Sequence, residues 1–258
     1  MLPTPTTKPF QTGRRAASHP ARSRAVRNPL IIAAAQPRIR PGEIAENVRA
    51  HAALVRQAAS RVVVFPELSM TGYDLTLQLL SPEDPVLEPL QQACSATGSL
   101  ALISAAVRQA DRRYIAALAV EPDRVSIVYR KTWLDDKEAE HFARGDGPTV
   151  LDIDGWRLGL GICKDTGSAQ HTAGTAALGI DAYVAGVIHR PDELAEQEAR
   201  ATVIARACRA YTVIASAAGA VGDDYPKTCG VSAIWGPNGL AITRASRKPN
   251  DIARAVLV

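Results

Sequence analysis

The stretch RVVVFPELSMTGY, residues 61–73, joins a short run of apolar residues to a polar loop. The residues from Val62 to Phe65 are apolar and, except for the last, β-branched, which is typical of a strand buried on both faces. Pro66 has no backbone N–H to donate, so it ends the strand. Glu67 is therefore predicted to lie directly after the carboxyl end of a buried strand.

The rest of the chain alternates in the same way between apolar runs and helical patterns. LIIAAA at 30–35 predicts a strand, and apolar residues at helical spacing predict a helix over 44–59. Further helices are predicted at 85–97, 170–178 and 193–210, and further strands at 100–107, 116–120, 125–130, 182–187, 212–217 and 252–258. Hairpins are predicted within 149–163 and 231–243. This pattern indicates an α/β protein with mixed β-sheets, forming a single domain over 29–258.

Length and composition are those of an ordinary globular protein. The chain has 258 residues, of which 47% are hydrophobic, enough to bury a sizeable core. It has no run of 18 or more apolar residues, so the sequence predicts no membrane-spanning helix. The four cysteines are scattered, without a CxxC pair and without a histidine at metal-ligand spacing. We expect free thiols in a reducing compartment, the cytoplasm.

The first 28 residues differ from the rest of the chain in composition. They hold six of the 30 basic residues and no acidic residue, and the remaining 24 basic residues face 26 acidic ones. Low apolar content and several prolines predict a disordered basic tail over 1–28, without the apolar segment of a secretory signal. Targeting or nucleic-acid binding through this tail is the less favoured alternative.

Three reactive side chains each follow an apolar run: Glu67, Lys131 and Cys163. Ligands of α/β proteins collect at the carboxyl ends of strands, so the three can share one crevice. An ordinary cysteine, with a pKa of about 8.5, is mostly protonated at neutral pH, and Glu67 can take its proton. Lys131 and the backbone N–H of Lys164 can then stabilise the oxyanion formed when the thiolate attacks an amide or nitrile carbon.

The segments that contain these residues resemble the three catalytic segments of the nitrilase, or carbon-nitrogen hydrolase, superfamily. They are FPELSMTGY at 65–73, YRKTWL at 129–134 and GLGICKD at 159–165, in the same order and at similar spacing. HFARGD at 141–146 and GVSAIWGPNGLAI at 230–242 extend the resemblance, which runs from residue 29 to the end.

The resemblance implies a four-layer αββα sandwich whose protomers pair across a helical face into a homodimer or larger assembly. It implies Glu67 as base, Lys131 as oxyanion-stabilising cation and Cys163 as nucleophile, with no metal and no organic cofactor. A second glutamate holds the lysine in this superfamily, and counting back four residues from the phenylalanine of HFARG gives Glu138. Glu140 is the rival if the loop is shifted.

The sequence departs from the superfamily's usual pattern in several places, and these departures bear on the substrate. KDTGSAQH after Cys163 has Lys164 where an aromatic residue is common, and it lacks the usual arginine. Trp133 stands where a histidine is common. We hypothesise that Lys164 lowers the pKa of the thiol or pairs with an anionic substrate; the alternative is that it points into solvent. Tyr73, which ends the first segment, is a second predicted substrate-binding residue.

The favoured function is cysteine-dependent hydrolysis of a linear amide, an ω-amide or an N-carbamoyl compound through a thioester. The alternatives are a nitrilase proper and a catalytically silent family member that binds a ligand or a partner. Cys94, Cys208 and Cys229 are predicted to be structural, although Cys229, beside Gly230, is the one to test for exposure. His141 and His171 are expected at the surface or at the pocket rim.

Overall fold

The computed structural model of the protein describes residues 27–76 and 78–258. The predicted tail therefore lies outside the described residues except for Arg27 and Asn28. Arg27 pairs with Asp181 at 2.5 Å, and its guanidinium lies 3.5 Å from the ring centroid of Trp156. Trp156 Nε1 also donates to the carbonyl oxygen of Asn28 at 3.0 Å. The chain is thus attached to the folded domain from residue 27 onward.

One sheet has six strands, with these bounds: β1 (Leu30–Gln36), β2 (Val62–Val64), β3 (Leu100–Gln109), β4 (Arg112–Val120), β5 (Val125–Arg130) and β14 (Asp251–Leu257). Their spatial order is β14, β1, β2, β3, β4, β5. The pairs β1/β2 and β2/β3 are parallel, and the other three pairs are antiparallel. The first sheet is therefore mixed.

The second sheet also has six strands, with these bounds: β6 (Thr149–Ile153), β7 (Trp156–Ile162), β8 (Ala182–Val187), β9 (Tyr211–Ser216), β12 (Ala233–Trp235) and β13 (Ala241–Arg244). Their order is β13, β12, β9, β8, β7, β6, with β7, β8 and β9 parallel and the outer pairs antiparallel. A small antiparallel ribbon joins β10 (Ala218–Gly219) and β11 (Thr228–Cys229). The two mixed sheets were predicted, and both are present.

Four helices cover the outer faces of the two sheets, and a fifth, the single-turn helix α3, lies in the loop after β5. Their bounds are α1 (Ile44–Ala58), α2 (Glu88–Thr97), α3 (Asp136–Ala139), α4 (Ala169–Ala177) and α5 (Leu194–Cys208). The apolar faces of α1 and α2 pack on the first sheet, and α5 packs on the second. No helix within residues 27–76 and 78–258 is long and apolar enough to cross a membrane.

The position of β2 between two cores explains why its run of valines does not alternate between apolar and polar residues. Val62 and Val64 face the core between the two sheets, whereas Val63 faces the core beneath α1 and α2. Because successive side chains of a strand point to opposite faces, both faces must be apolar when both are covered. This arrangement gives four layers in the order αββα, which confirms the predicted fold class.

Several predicted element boundaries differ from the structure, and the strand predicted at 116–120 begins already at Arg112. The helix predicted from residue 85 begins as a short 3₁₀ turn, Pro85–Leu87, before α2. The strand predicted from residue 231 begins only at Ala233, because Val231 has a φ of 57°, which no extended strand accommodates.

Candidate active site

The carboxyl ends of strands from both sheets meet at one point of the sandwich. A Cβ added to Gly186 of β8 would lie 2.5 Å from the carbonyl oxygen of Phe65 and 2.8 Å from the backbone nitrogen of Glu67. Only a glycine therefore allows β8 to approach the loop after β2 so closely. This contact holds Glu67 against the second sheet, and Glu67 is 1% exposed.

Cys163 follows β7 at the start of a 3₁₀ turn, Cys163–Gly167. Its φ is 41°, in the left-handed region that costs a non-glycine residue about 1 to 2 kcal/mol. The thiol donates to the carbonyl oxygen of Ile188 at a distance of 3.5 Å, and the side chain is half-buried. Backbone strain of this kind is typical of functional sites, where the fold holds a side chain in an unusual direction.

Lys131 connects two carboxylates in the interior. Its Nζ atom lies 2.7 Å from Glu67 Oε1 and 2.6 Å from Glu138 Oε1, and all three side chains are 1% exposed. Its backbone N–H donates to the carbonyl oxygen of Ile115, which continues the antiparallel pairing of β5 with β4 past the end of the strand. Lys131 is thus rigidly attached to the sheet as well as paired with two carboxylates.

Glu138 is positioned by the first turn of α3. Its Oε2 atom accepts from the backbone N–H of Asp135 at 3.0 Å, and its own N–H donates to Asp135 Oδ1 at 2.8 Å. This capping box leaves Oε1 directed at Lys131. Of the two glutamates considered from the sequence, Glu138 contacts Lys131, whereas Glu140 is exposed.

The charges of these groups depend on their burial. Burial raises the pKa of Glu67 to about 7; Lys131 opposes this increase and Glu138 adds to it. Burial alone would lower the pKa of Lys131, but the neighbouring Glu67, Cys163 and Glu138 outweigh it and raise that pKa. The pKa of the Cys163 thiol is raised well above its usual value, by burial first and then by the charge of Glu67. At neutral pH the arrangement therefore holds a protonated thiol beside a carboxylate that can exchange a proton.

Two tyrosines lie beside this cluster. The hydroxyl of Tyr73 donates to Asp135 Oδ2 at 3.4 Å, and its ring meets the ring of Tyr225 edge-on at 4.8 Å. The guanidinium of Arg190 lies 4.5 Å from the ring centroid of Tyr225. A cleft of about 580 Å³ extends outward from Tyr73, and His141 lies on its wall. Tyr225 was not identified from the sequence, because no motif marks it.

Lys164 is exposed, and its side chain contacts the loop after Lys131. Its ammonium donates to the carbonyl oxygen of Leu134 at 2.9 Å, which ties the turn after Cys163 to the loop after Lys131. A substrate role for Lys164 therefore depends on its charge at the edge of the site.

The expectation that His171 lies at the surface or pocket rim was wrong, whereas Cys229 is buried, in keeping with the structural role predicted for it. His171 is fully buried, because it lies on the side of α4 that faces β7 and β8, where it contacts Tyr183. Cys229 is 1% exposed, because its N–H donates to the carbonyl oxygen of His189 in the interior. Among the residues that the structure describes, no three His, Cys, Asp or Glu side chains are grouped so that they could hold a metal ion.

Comparison with protein families gives one match over nearly all of the described chain. The model of the family described as carbon-nitrogen hydrolase matches residues 31–257. An (R)-stereoselective amidase from a Pseudomonas species is 27% identical over 198 residues, which cover 72% of this chain and 69% of the amidase.

Solved structures share the fold at lower identity. XC1258 from Xanthomonas campestris, a CN-hydrolase superfamily protein with an arsenic adduct in the active site, has a TM-score of 0.80 and 16% identity over 90% of this chain and 91% of its own. A double mutant of the amidase from Nesterenkonia sp. AN1, in complex with acrylamide, has a TM-score of 0.79 and 20% identity over 89% and 91%. In a further structure of that amidase, the acetamide moiety of fluoroacetamide is covalently added at the active-site cysteine.

Proposed function

Because this chain belongs to the carbon-nitrogen hydrolase family and acts on carbon–nitrogen bonds other than peptide bonds, we propose that it is an amidase that uses Cys163 as its nucleophile. The observation that carries this proposal is the pairing of the Lys131 ammonium with both Glu67 and Glu138, next to a strained, half-buried cysteine. Glu67 is the base, Lys131 the oxyanion-stabilising cation and Glu138 the residue that holds Lys131.

The first step is the attack of sulfur on the amide carbonyl carbon. Glu67 takes the thiol proton as the S–C bond forms, and the π electrons of the carbonyl move onto its oxygen. Lys131 has three N–H donors, of which two contact carboxylates; we assign the third, with the backbone N–H of Lys164, to this oxyanion. Losing one donor of this kind typically costs about 10² to 10³ in rate.

The second step breaks the carbon–nitrogen bond. The oxyanion collapses, the leaving nitrogen takes the proton held by Glu67, and ammonia or an amine departs from a thioester on Cys163. Water then gives a proton to Glu67 and attacks the thioester. The C–S bond breaks, the sulfur recovers the proton, and a carboxylic acid is released.

The substrate class we propose is a linear amide, with ω-amides and N-carbamoyl compounds included. The support is that the Pseudomonas and Nesterenkonia relatives are both amidases, and that the latter was solved with acrylamide. Tyr73 lines the cleft and would contact the acyl part, and Lys164 would supply a positive charge one residue after Cys163.

We further propose that two copies pair across the face formed by α4 and α5. A groove of about 800 Å³ there is lined mainly by small residues, and Val203 on α5 is 62% exposed beside it. Apolar surface of this kind is typical of protein–protein contacts.

The four cysteines at 94, 163, 208 and 229 are free thiols, which agrees with action in the reducing cytoplasm.

The proposed activity is tested by measuring ammonia release from short aliphatic amides, ω-amides, N-carbamoyl compounds and nitriles. The same screen is run on Cys163→Ala, whose circular dichroism and melting temperature check that it folds. We expect the native protein to release ammonia from at least one amide and the variant to release none. Activity that survives in a folded Cys163→Ala protein would contradict the mechanism, and inactivity of both proteins on every amide would contradict the amidase assignment.

A further inference from the structure

Beneath Cys163, four buried polar side chains form one continuous line of hydrogen bonds. Asp165 Oδ2 accepts from the hydroxyl of Tyr129 at 2.8 Å, and the same hydroxyl oxygen lies 3.0 Å from His171 Nε2. On the other side of the imidazole, Nδ1 lies 3.0 Å from the hydroxyl of Tyr183. We call this line the Asp165–Tyr183 chain, and its middle residue is His171.

The hydrogen positions along this chain follow from its carboxylate end. Because the Tyr129 hydroxyl gives its proton to Asp165, its oxygen can only accept from the imidazole, so Nε2 of His171 carries the hydrogen. Nδ1 is then unprotonated and accepts from Tyr183. Burial lowers the pKa of His171, which agrees with a neutral imidazole in this single tautomer.

Asp165 joins the two loops that carry the proposed nucleophile and cation. Its Oδ2 atom accepts from the backbone N–H of Ile162, the residue before Cys163, at 2.9 Å. Its Oδ1 atom accepts from the backbone N–H of Trp133, two residues after Lys131, also at 2.9 Å. A shift of this single carboxylate therefore changes the separation of Cys163 and Lys131.

Each residue of the Asp165–Tyr183 chain comes from a different element, and two of them are joined by His171. It lies on α4, and besides its hydrogen bond to Tyr129 its ring meets the ring of Trp133 edge-on at 5.4 Å. The imidazole thus contacts the strand before Lys131 through Tyr129 and the loop after Lys131 through Trp133. Tyr129 and Trp133 both also donate to Asp165, so His171 supports the segment on either side of Lys131.

We propose that His171 is a positioning residue, which fixes Cys163 relative to Lys131 through Tyr129 and Asp165. The inference rests on the proposed function for its effect on turnover, but its effect on the thiol is independent of any amide substrate. A misplacement of a reacting group by about 1 Å can cost on the order of 10² in rate. Loosening the Asp165–Tyr183 chain should therefore lower kcat rather than weaken substrate binding.

The first experiment compares His171→Phe, which keeps a ring but removes both hydrogen bonds, with His171→Gln, whose amide can donate toward Tyr129. Alkylation of Cys163 by iodoacetamide is followed by mass spectrometry as a function of pH. Since Lys131 opposes the rise in the thiol pKa, we expect His171→Phe to move the midpoint of alkylation upward by about half a pH unit or more. His171→Gln should keep the native midpoint, and an unchanged midpoint in His171→Phe would overturn the inference.

The second experiment is a double-mutant cycle on turnover of whichever amide is the best substrate. We expect His171→Phe and Tyr129→Phe each to lower kcat by about tenfold or more, with KM changed less than about threefold. Because both act through Asp165, the double variant should lose little more than either single variant. Losses that multiply would show that the two residues act separately and would overturn the inference.

The control is Leu90→Ala on α2. Leu90 packs in the core between the first sheet and its helices, away from the Asp165–Tyr183 chain. The substitution lowers the melting temperature without touching the Asp165–Tyr183 chain, so its kcat and its alkylation midpoint should stay native. If Leu90→Ala reproduced the changes of His171→Phe at an equal loss of melting temperature, the role of His171 would be structural only. If the native protein turned over no amide, the alkylation result would still decide the inference, while the proposed function alone would fail.

Discussion

The ammonium of Lys131 lies 2.7 Å from Glu67 Oε1 in a position where both side chains are 1% exposed. Glu138 accepts from the same ammonium, so one positive charge faces two carboxylates in the interior. Buried charges of this kind stabilise a fold only while they are paired, because an unpaired charge in the interior has lost its water without any compensation. The consequences for activity and for stability can be separated by mutation.

Replacing Lys131 by methionine keeps the volume of the side chain and removes its charge. We expect Lys131→Met to lower the free energy of unfolding by about 3 to 5 kcal/mol, because two buried carboxylates lose their partner. Urea denaturation measures this loss, and it should shrink at pH values low enough to protonate both carboxylates. A folded variant should also lose at least about 10² in kcat/KM, since the oxyanion loses its cation.

Activity should depend on the protonation of Glu67. Because its pKa is raised to about 7, kcat/KM of the native protein should fall about tenfold per pH unit below pH 7 as the base becomes protonated. The pH dependence of kcat/KM on a neutral amide measures this limb, and a profile flat down to pH 5 would contradict the role of Glu67 as base.

The raised pKa of Glu67 also affects stability. Stability should fall as the pH rises through this range, whereas activity should rise. Between pH 4.5 and about 7 the folded protein keeps a proton on Glu67 that the unfolded chain releases. The contribution of this group to stability is therefore present at low pH and declines as the pH rises through that window. Denaturation of Glu67→Gln across the window should show a weaker decline than the native protein.

Gly186 should be essential because of space rather than backbone conformation. A methyl group there would lie 2.5 Å from a carbonyl oxygen of the loop before Glu67, so Gly186→Ala must push β8 and this loop apart. We expect a loss of several kcal/mol in the free energy of unfolding, on the order of other overpacked cores, together with loss of activity. Gly98→Ala is the control: it has a φ of 65° but open space around it, so it should cost only about 1 kcal/mol and leave kcat native.

Much of this arrangement could be predicted from the sequence, because it depends on local pattern. Val62 to Val64 predicted a strand with two buried faces, and the three ordered motifs predicted that Glu67, Lys131 and Cys163 can share one crevice. The Asp165–Tyr183 chain could not be predicted in this way. His171 is one of several polar residues in a short helix of alanines and threonines, and only the packing of α4 on the second sheet decides that it faces inward.

Tyr225 illustrates a second reason why part of the site could not be predicted from the sequence. It belongs to a loop between β10 and β11, where neither periodicity nor a motif constrains the side chain, and its contact with Tyr73 joins positions 152 residues apart in the sequence. Contacts between loops depend on how the strands beneath them are ordered. Glu138, in contrast, was predicted from the resemblance, by counting back four residues from Phe142, and the structure places it by a local capping box with Asp135, three residues before it.

Lys164 offers a test of selectivity. The residue is exposed and directly follows Cys163 in the sequence, so we expect Lys164→Met to raise KM at least about fivefold for an amide that bears a carboxylate, by loss of a charge-assisted contact. Steady-state kinetics on a neutral amide of equal length provide the comparison, and its KM should not change. Equal KM values for native and variant proteins on the charged amide would show that Lys164 serves only to bind the carbonyl oxygen of Leu134.

The proposed pairing across α4 and α5 is tested on the exposed face of α5. Val203 is 62% exposed beside the groove, and an aspartate in its place would carry a charge that a closed interface could neither hydrate nor pair. We expect Val203→Asp to shift the protein from dimer to monomer in sedimentation equilibrium at micromolar concentration. Val256→Asp is the control, since Val256 is 51% exposed but lies on β14 of the first sheet, whereas α5 packs on the second sheet, and it should leave the dimer intact. If Val256→Asp dissociated the protein and Val203→Asp did not, the copies would pair through the first sheet, and the 800 Å³ groove would need another occupant.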